Sequence, residues 1–172
     1  MSAAPVVRIW STRPPAIRWS CPRCRGDVFD CSERFRANCN GKLVDIWLIY
    51  RCRRCESTKN VTIVDRRPVS KVPRDLLHAA HDNDPIVARR CAHDVGLLRR
   101  NGIAVVEGDE WATDGPVVTI PFTLEFVEPL LVRLDRVAAA VLAVPRSRLP
   151  VDVDGRLRLW AGAVAVRLAS GT

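Results

Sequence analysis

The sequence predicts an α+β protein, with a small antiparallel β-domain, a helical segment and an αβ tail. Two Cys-x-x-Cys pairs, CPRC at 21–24 and CRRC at 52–55, enclose a stretch with β-type alternation. Helix-capping residues recur further along the chain, and the tail combines a helical pattern with alternating strands. We expect a β-domain at 1–67, an acidic helical segment at 68–128 together with strands that pack on the β-domain, and the tail at 129–172.

The four paired cysteines predict a structural metal site. A two-residue spacer closes a tight turn that places two thiolates on one ion, and two such knuckles complete the tetrahedral sulfur set that zinc prefers. The sequence therefore predicts a zinc ribbon with one structural zinc ion, held by Cys21, Cys24, Cys52 and Cys55. The alternatives are a disulfide pair or a thioredoxin-like redox motif, although a redox motif uses one pair between a strand and a helix.

The 27 residues between the two pairs predict two strands joined by a hairpin. Asn40-Gly41 is a turn signal between RFRAN and LVDIWLIY. Both alternating sets of Leu43–Tyr50 are largely apolar, so we expect both faces of this strand to be buried, with Trp47 in the core. Further strands are predicted at 16–19, 60–65, 103–107, 117–126, 156–160 and 163–168, and residues 1–14 are expected to be a first strand or a mobile arm.

Capping residues predict the helices. Asp84-Pro85 combines an N-cap with proline at the first helical position, and Asp94 is the N-cap of a short helix closed by Asn101-Gly102. Leucine, valine and alanine recur at helical spacing in the tail. Helices are therefore expected at 74–80, 85 to about 93, 95–100 and 135–143.

The charge of +8 is distributed unevenly along the chain. Residues 1–74 carry +10, residues 75–132 carry −6 and residues 133–172 carry +4. No apolar run approaches bilayer length and no secretory signal is present, which predicts a cytoplasmic protein with reduced cysteines and no membrane partner. Phosphate-cradling glycine loops and nucleophile motifs are also missing, so we expect neither an enzyme nor a small-molecule substrate.

The N-terminal part of the chain resembles a bacterial family, domain-of-unknown-function family 1062. The segments that carry the resemblance are CPRC, FRANCNGKLVDIWLIYRCRRC, NVTIVDR, DNDPIVARRCAHD and LLRRN, within about residues 8–105. The resemblance implies a zinc ribbon with a helical appendage and carries no established activity.

The tail resembles the S4-type RNA-binding domain. Arg-Leu-Asp-Arg-Val-Ala at 133–138, followed by Arg146-Ser147, is similar to its opening helix, and GRLRLWAGAVAVRL is similar to its closing strands. Pro150 departs from the pattern, since it interrupts the second helix, which supplies much of the RNA contact in that fold. The resemblance implies a small S4-like αβ tail.

The basic ribbon suggests a non-enzymatic protein that binds structured RNA or a ribosomal particle. Arginines beside exposed knuckle backbone can neutralise phosphates, although they can also form an ordinary solvated face. A zinc-dependent adaptor that docks a protein partner, with no nucleic-acid role, is the alternative, and its apolar interface would depend less on salt. The predicted nucleic-acid contacts are Arg23, Arg25, Arg53 and Arg54 on the ribbon and Arg133, Arg136 and Arg146 in the tail.

The remaining histidines and cysteines suggest weaker hypotheses. His78 and His81 could begin a second metal site, which would need Cys91 or carboxylates to complete it, but helix-surface histidines are the simpler expectation. A Cys91–His93 nucleophile is disfavoured, because residues two apart on a helix point away from each other. No role is assigned to Cys31, Cys39 or Cys91.

Overall fold

A computed structural model of the chain describes residues 5–106, 111–116, 122–127, 130, 132–149 and 165–168. The chain forms two compact units, one of residues 14–108 and one of residues 1–13 with 109–172. The predicted boundaries at 67 and 128 therefore differ from the observed ones. The physical reason is strand pairing, since strand β1 (Val6–Ser11) pairs with C-terminal strands rather than with the ribbon.

The unit of residues 14–108 contains a five-stranded antiparallel sheet. Its strands lie in the order β5-β4-β3-β2-β6. Their bounds are Ile17–Arg18 for β2, Val28–Asn40 for β3, Leu43–Cys52 for β4, Thr58–Pro68 for β5 and Ala104–Val105 for β6. The predicted hairpin is confirmed, with Gly41 at a φ of +60° in the turn.

Strand β4 buries one face fully and the other only partly. Val44, Ile46, Leu48 and Tyr50 are at most 1% exposed and share one cluster with buried helix residues. The opposite set, which includes Trp47, is half-buried. The expectation of two buried faces, with Trp47 in the core, is therefore wrong, because an alternating strand is fully covered only where another layer packs on it.

Three helices follow the sheet strands. They are α1 (Arg74–Asp82), α2 (Pro85–His93) and α3 (Val95–Arg100), preceded by a 3-10 turn at Val69–Lys71. The predicted caps are confirmed, because the Asp84 carboxylate accepts from the Ile86 and Val87 N–H groups and the Asp94 carboxylate accepts from the Leu97 N–H.

Two asparagine side chains form hydrogen bonds that connect the helices to the sheet. Asn83, at a φ of +55° after α1, accepts a 2.8 Å hydrogen bond from the Phe35 N–H of β3. Asn101, after α3, accepts a 2.9 Å bond from the Thr62 N–H and donates a 2.9 Å bond to the Thr62 carbonyl. Its amide thus occupies the outer edge of β5 in the way a neighbouring strand would.

The other unit contains a mixed four-stranded sheet in the order β7-β1-β8-β9. Strands β7 (Trp111–Thr113), β8 (Phe122–Phe126) and β9 (Ala165–Leu168) join β1, which runs parallel to β8. Helix α4 (Leu134–Val141) packs its apolar side into the core formed by β1 and β8. In the described part of the chain, no helix is long and apolar enough to cross a lipid bilayer.

The S4-like tail stays a prediction. Its first helix is present as α4, but Arg146–Arg148 form a 3-10 turn rather than the start of a second helix. A helix here would need a backbone donor at residue 150, and proline has none. The predicted strand at 156–160 lies outside the described residues.

Replacing Asn101 tests whether its amide closes the edge of β5. Asn101→Asp keeps an acceptor for the Thr62 N–H but removes the donor to the Thr62 carbonyl, so the free energy of unfolding should fall by about 1–3 kcal/mol. Urea unfolding of the metal-loaded protein measures this change. Asn40→Asp, at an exposed position at the end of β3, is the control, and equal stability losses in the two variants would contradict the assignment.

Candidate metal centre

Strand pairing brings the two Cys-x-x-Cys turns to the same end of the sheet. The first turn connects β2 to β3 and the second connects β4 to β5. Phe29, near the start of β3, lies opposite Cys52 at the end of β4 in the β3–β4 register. The long hairpin therefore carries the chain away from the first pair and returns it to the same place.

The first turn is a closed knuckle. The Cys21 carbonyl accepts a 3.0 Å bond from the Arg25 N–H, and the Cys21 N–H donates a 2.7 Å bond to the Gly26 carbonyl. Arg25 has a φ of +59°, which turns the backbone around the sulfurs. A Cβ added at Gly26 would lie 3.3 Å from the Cys24 Sγ and 3.4 Å from the Cys52 Sγ, so glycine leaves room for the sulfur cluster.

The second turn repeats this arrangement position for position. The Cys52 carbonyl accepts a 2.9 Å bond from the Glu56 N–H, and the Cys52 N–H donates a 2.8 Å bond to the Ser57 carbonyl. Glu56 has a φ of +62°, matching Arg25 in the first knuckle. Two knuckles of the same geometry thus face each other.

The four sulfurs form a single cluster. All four Sγ atoms lie within 4.8 Å of one another, with 3.6 Å between Cys21 and Cys55 and 3.5 Å between Cys24 and Cys52. Cys21 and Cys52 are buried, and Cys24 and Cys55 are partly exposed. The structure therefore brings together the four residues predicted as ligands, in a group that could hold one metal ion.

A serine hydroxyl supports two of the sulfurs. Ser57 Oγ lies 3.1 Å from the Cys21 Sγ and 3.2 Å from the Cys55 Sγ. Its hydrogen bonding lowers the pKa of Cys21 to about 6 and also lowers the pKa of Cys55. These contacts favour the thiolate form that a metal ion requires.

The Cys24 thiol has the opposite tendency. The Gly26 N–H, 3.4 Å from its sulfur, lowers its pKa, but burial and the three neighbouring cysteines together raise the pKa of Cys24 to about 12. Four sulfurs this close repel one another when charged. A bound cation would remove that repulsion and allow all four to ionise.

Gly26 and Ser57 are supporting residues that the sequence analysis missed. Each stands two positions after the second cysteine of its pair, in the patterns Cys-x-x-Cys-x-Gly and Cys-x-x-Cys-x-Ser. The equal offset is the signal that could have identified them, because both knuckles use that position to close the turn.

The ribbon arginines predicted to contact nucleic acid lie around the metal centre but differ in their partners. Arg23 and Arg25 are exposed, and neither side chain has a carboxylate partner in the described part of the chain. Arg54 is exposed and donates a 3.2 Å bond to the Cys24 carbonyl. Arg53 forms a two-bond ion pair with Asp30, so part of its charge is already matched.

The tail arginines lie in the other unit, where two of them lie beside one carboxylate. Arg133 pairs with Asp135 at 2.9 Å, and Arg146 lies 3.8 Å from the same carboxylate. The hydrogen bond from Arg133 lowers the pKa of Asp135. Arg136 is partly buried on α4. The charges of Arg133 and Arg146 are thus partly neutralised by Asp135 of their own unit.

The other candidate ligands stay apart from the cluster. His78 and His81 are exposed on α1, as expected of helix-surface histidines. Among the described residues, the four cysteines are the one group of metal-ligating side chains found together, which excludes Cys31, Cys39 and Cys91 from it.

Comparison with known proteins gives one match. The family model described as "Protein of unknown function (DUF1062)" matches residues 37–157. The match includes Cys52 and Cys55 but begins after Cys21 and Cys24, and it extends further towards the C-terminus than the predicted 8–105. No curated protein and no solved structure matches the chain.

Replacing Ser57 by alanine tests its support of the sulfurs. Ser57→Ala removes one hydroxyl that reaches two thiolates, so metal affinity should fall by about 10- to 100-fold while all four sulfurs remain. Competition against a chromophoric chelator measures the affinity. Ser20→Ala, an exposed serine beside the first knuckle, should bind as the wild type does, and unchanged affinity in Ser57→Ala would refute the role.

Proposed function

We propose that this chain, which belongs to the DUF1062 family of proteins of unknown function, is a non-enzymatic RNA-binding module stabilised by one structural zinc ion. The observation that carries the proposal is the basic rim of the metal centre, formed by the exposed side chains of Arg23, Arg25 and Arg54. Structured RNA, free or within a ribosomal particle, is the proposed partner.

The sulfur cluster supports zinc as the metal. A regular tetrahedron with zinc–sulfur bonds of about 2.3 Å places sulfurs about 3.8 Å apart. The separations of 3.5 Å between Cys24 and Cys52 and 3.6 Å between Cys21 and Cys55 lie close to that value. Four thiolates also leave no coordination position for a substrate or a reactive water, which supports a structural rather than a catalytic ion.

The two knuckles present their arginines in a way that suits phosphate. A knuckle is a short, tightly bonded turn, so the side chains at its tip project from a backbone of fixed shape. Arg23 and Arg25 belong to the first knuckle and Arg54 to the second, on either side of the same sulfurs. Guanidinium groups bind phosphate oxygens through paired hydrogen bonds, and contacts of this kind position an RNA backbone.

The aromatic residues nearby give little support for base stacking. Tyr50 is fully buried, and the Trp19 ring is already covered by the Lys59 ammonium, 3.5 Å from its centroid. We therefore propose that the ribbon binds RNA by shape and phosphate contacts rather than by stacking on unpaired bases.

A protein-adaptor role remains the alternative prediction. Large exposed hydrophobic side chains among the described residues of the ribbon unit are Val69 and Ile86, which lie on separate elements. Adaptor interfaces normally place several such side chains together at the centre. The basic rim, by contrast, groups three exposed arginines around one centre. This concentration of positive charge favours a polyanion as the partner.

Neutralising the rim tests RNA binding directly. For a fluorescent stem–loop RNA, the logarithm of the binding constant should fall linearly with the logarithm of salt concentration. Arg23→Gln/Arg25→Gln should weaken binding and reduce the magnitude of that slope by about 1.5, because each lost phosphate contact removes about 0.7 to 0.9. Fluorescence anisotropy over a salt series gives both quantities.

The matched control is Arg74→Gln/Arg90→Gln, which removes the same charge from exposed positions on α1 and α2. It should retain most of the affinity and the wild-type slope. An RNA affinity that does not depend on salt concentration, or one that falls equally in both double variants, would contradict the proposed role of the basic rim. Stoichiometric capture of a protein at high salt would favour the adaptor.

A further inference from the structure

A groove lies beside β5, the outer edge strand of the ribbon sheet. None of the four cysteines is among its lining residues. It has a volume of about 880 Å³ and is bounded by β5, the turn before α1, and the end of α3. All of its walls belong to the unit of residues 14–108. Binding sites for small organic molecules commonly have volumes of about 300–1,000 Å³, so the groove has the right size for one.

Three cations from three different elements line this groove. They are Arg67 at the end of β5, Lys71 in the 3-10 turn and Arg100 at the end of α3. All three are exposed, and within the described residues none has a carboxylate partner. The lining contains a single carboxylate, Asp65. The groove therefore carries an excess of two positive charges.

Several other arginines of the same unit have carboxylate partners. Arg89 pairs with Glu33 at 2.8 Å, and Arg18 pairs with Asp27. The three groove cations have no such ion pair among the described residues, and they share one concave surface whose lining includes the carboxylate Asp65. A concave site lined by charge of one sign concentrates ions of the opposite sign.

Apolar side chains form part of the groove lining. Val64 and Val72 line the groove and are each 6% exposed, and Leu76 lines it from α1. The backbone at the β5 edge is already bonded to the Asn101 amide at Thr62. A ligand here would meet both apolar side chains and cations, a combination that suits an organic anion.

The start of α1 adds a weaker attraction for anions. Pro73, the N-cap of this nine-residue helix, lines the groove and provides no side-chain cap for the free N–H groups of the first turn. Those groups carry partial positive charge. Asp75 in the same turn offsets part of it, so the cations provide the main attraction.

We infer that this groove binds a phosphorylated small molecule of about nucleotide size. Arg67 and Arg100 would each offer a guanidinium fork to phosphate oxygens, Lys71 would add a point charge, and the organic part would contact the apolar residues of the lining. The sequence predicted no small-molecule ligand, and none of these three cations was among its predicted contacts. The inference does not depend on RNA binding at the metal centre.

Titration calorimetry tests the groove with the full-length, metal-loaded protein. The probes are AMP, ATP, glucose 6-phosphate and inorganic phosphate. We expect at least one organic phosphate to bind more tightly than inorganic phosphate. Arg67→Gln/Lys71→Gln/Arg100→Gln should weaken that binding by at least about tenfold, because it removes three charge-assisted contacts while keeping the side-chain stems.

Two control variants distinguish a loss of phosphate binding at the groove from a loss of stability and from an effect of the basic rim of the metal centre. Arg34→Gln/Arg36→Gln/Arg90→Gln removes the same charge from exposed positions outside the groove and should bind as the wild type does. Arg23→Gln/Arg25→Gln should also leave phosphate binding intact, even if it abolishes RNA binding. Urea unfolding should show equal stability for the groove variant and the charge-matched control.

Three results would overturn the inference. The first is that none of the four probes binds. The second is that the groove variant binds them as well as the wild type does. The third is that a stem–loop RNA loses affinity in the groove variant while no small phosphate binds, which would make the groove part of a polymer-binding surface.

Discussion

The pairing of β3 with β4 is the constraint on which the rest of the ribbon unit depends. It places the start of β3 opposite the end of β4, and so brings two cysteine pairs that are distant in sequence to one end of the sheet. The knuckles then close by their own backbone hydrogen bonds. The four sulfurs can all ionise only with a cation among them, so metal binding and strand pairing should stabilise each other.

The same sheet determines where charge is exposed. Paired arginines such as Arg18 in β2 and Arg51 in β4 lie in the strands, whereas Arg23 and Arg25 lie on a knuckle and Arg67 lies near the end of the edge strand β5. Arg23, Arg25 and Arg67 thus lie where regular strand pairing stops, at the metal end and at the outer edge of the sheet. Both places combine fixed backbone with solvent access, which is what an anion-binding surface requires.

Local chemistry explains which parts of the fold could be predicted from the sequence. The caps formed by Asp84 and Asp94 involve backbone groups two or three residues away, and the turn at Gly41 is equally local. The sequence could therefore predict them. The cysteine spacing likewise specified the sulfur cluster. The pairing of β1 with β8 joins residues more than a hundred positions apart, and the contact of Ser57 with Cys21 depends on two knuckles meeting in space. Contacts between residues so far apart in sequence produce no pattern within a short stretch of the chain.

The central claim is that one metal ion on four cysteines holds the ribbon together, and a heteronuclear NMR spectrum before and after chelation tests it most directly. The protein should contain one zinc per chain by mass spectrometry. On chelation, amide signals from β2 to β5 should lose their dispersion, and added zinc should restore them. A metal-free protein with a fully dispersed, chelator-insensitive spectrum would contradict the claim.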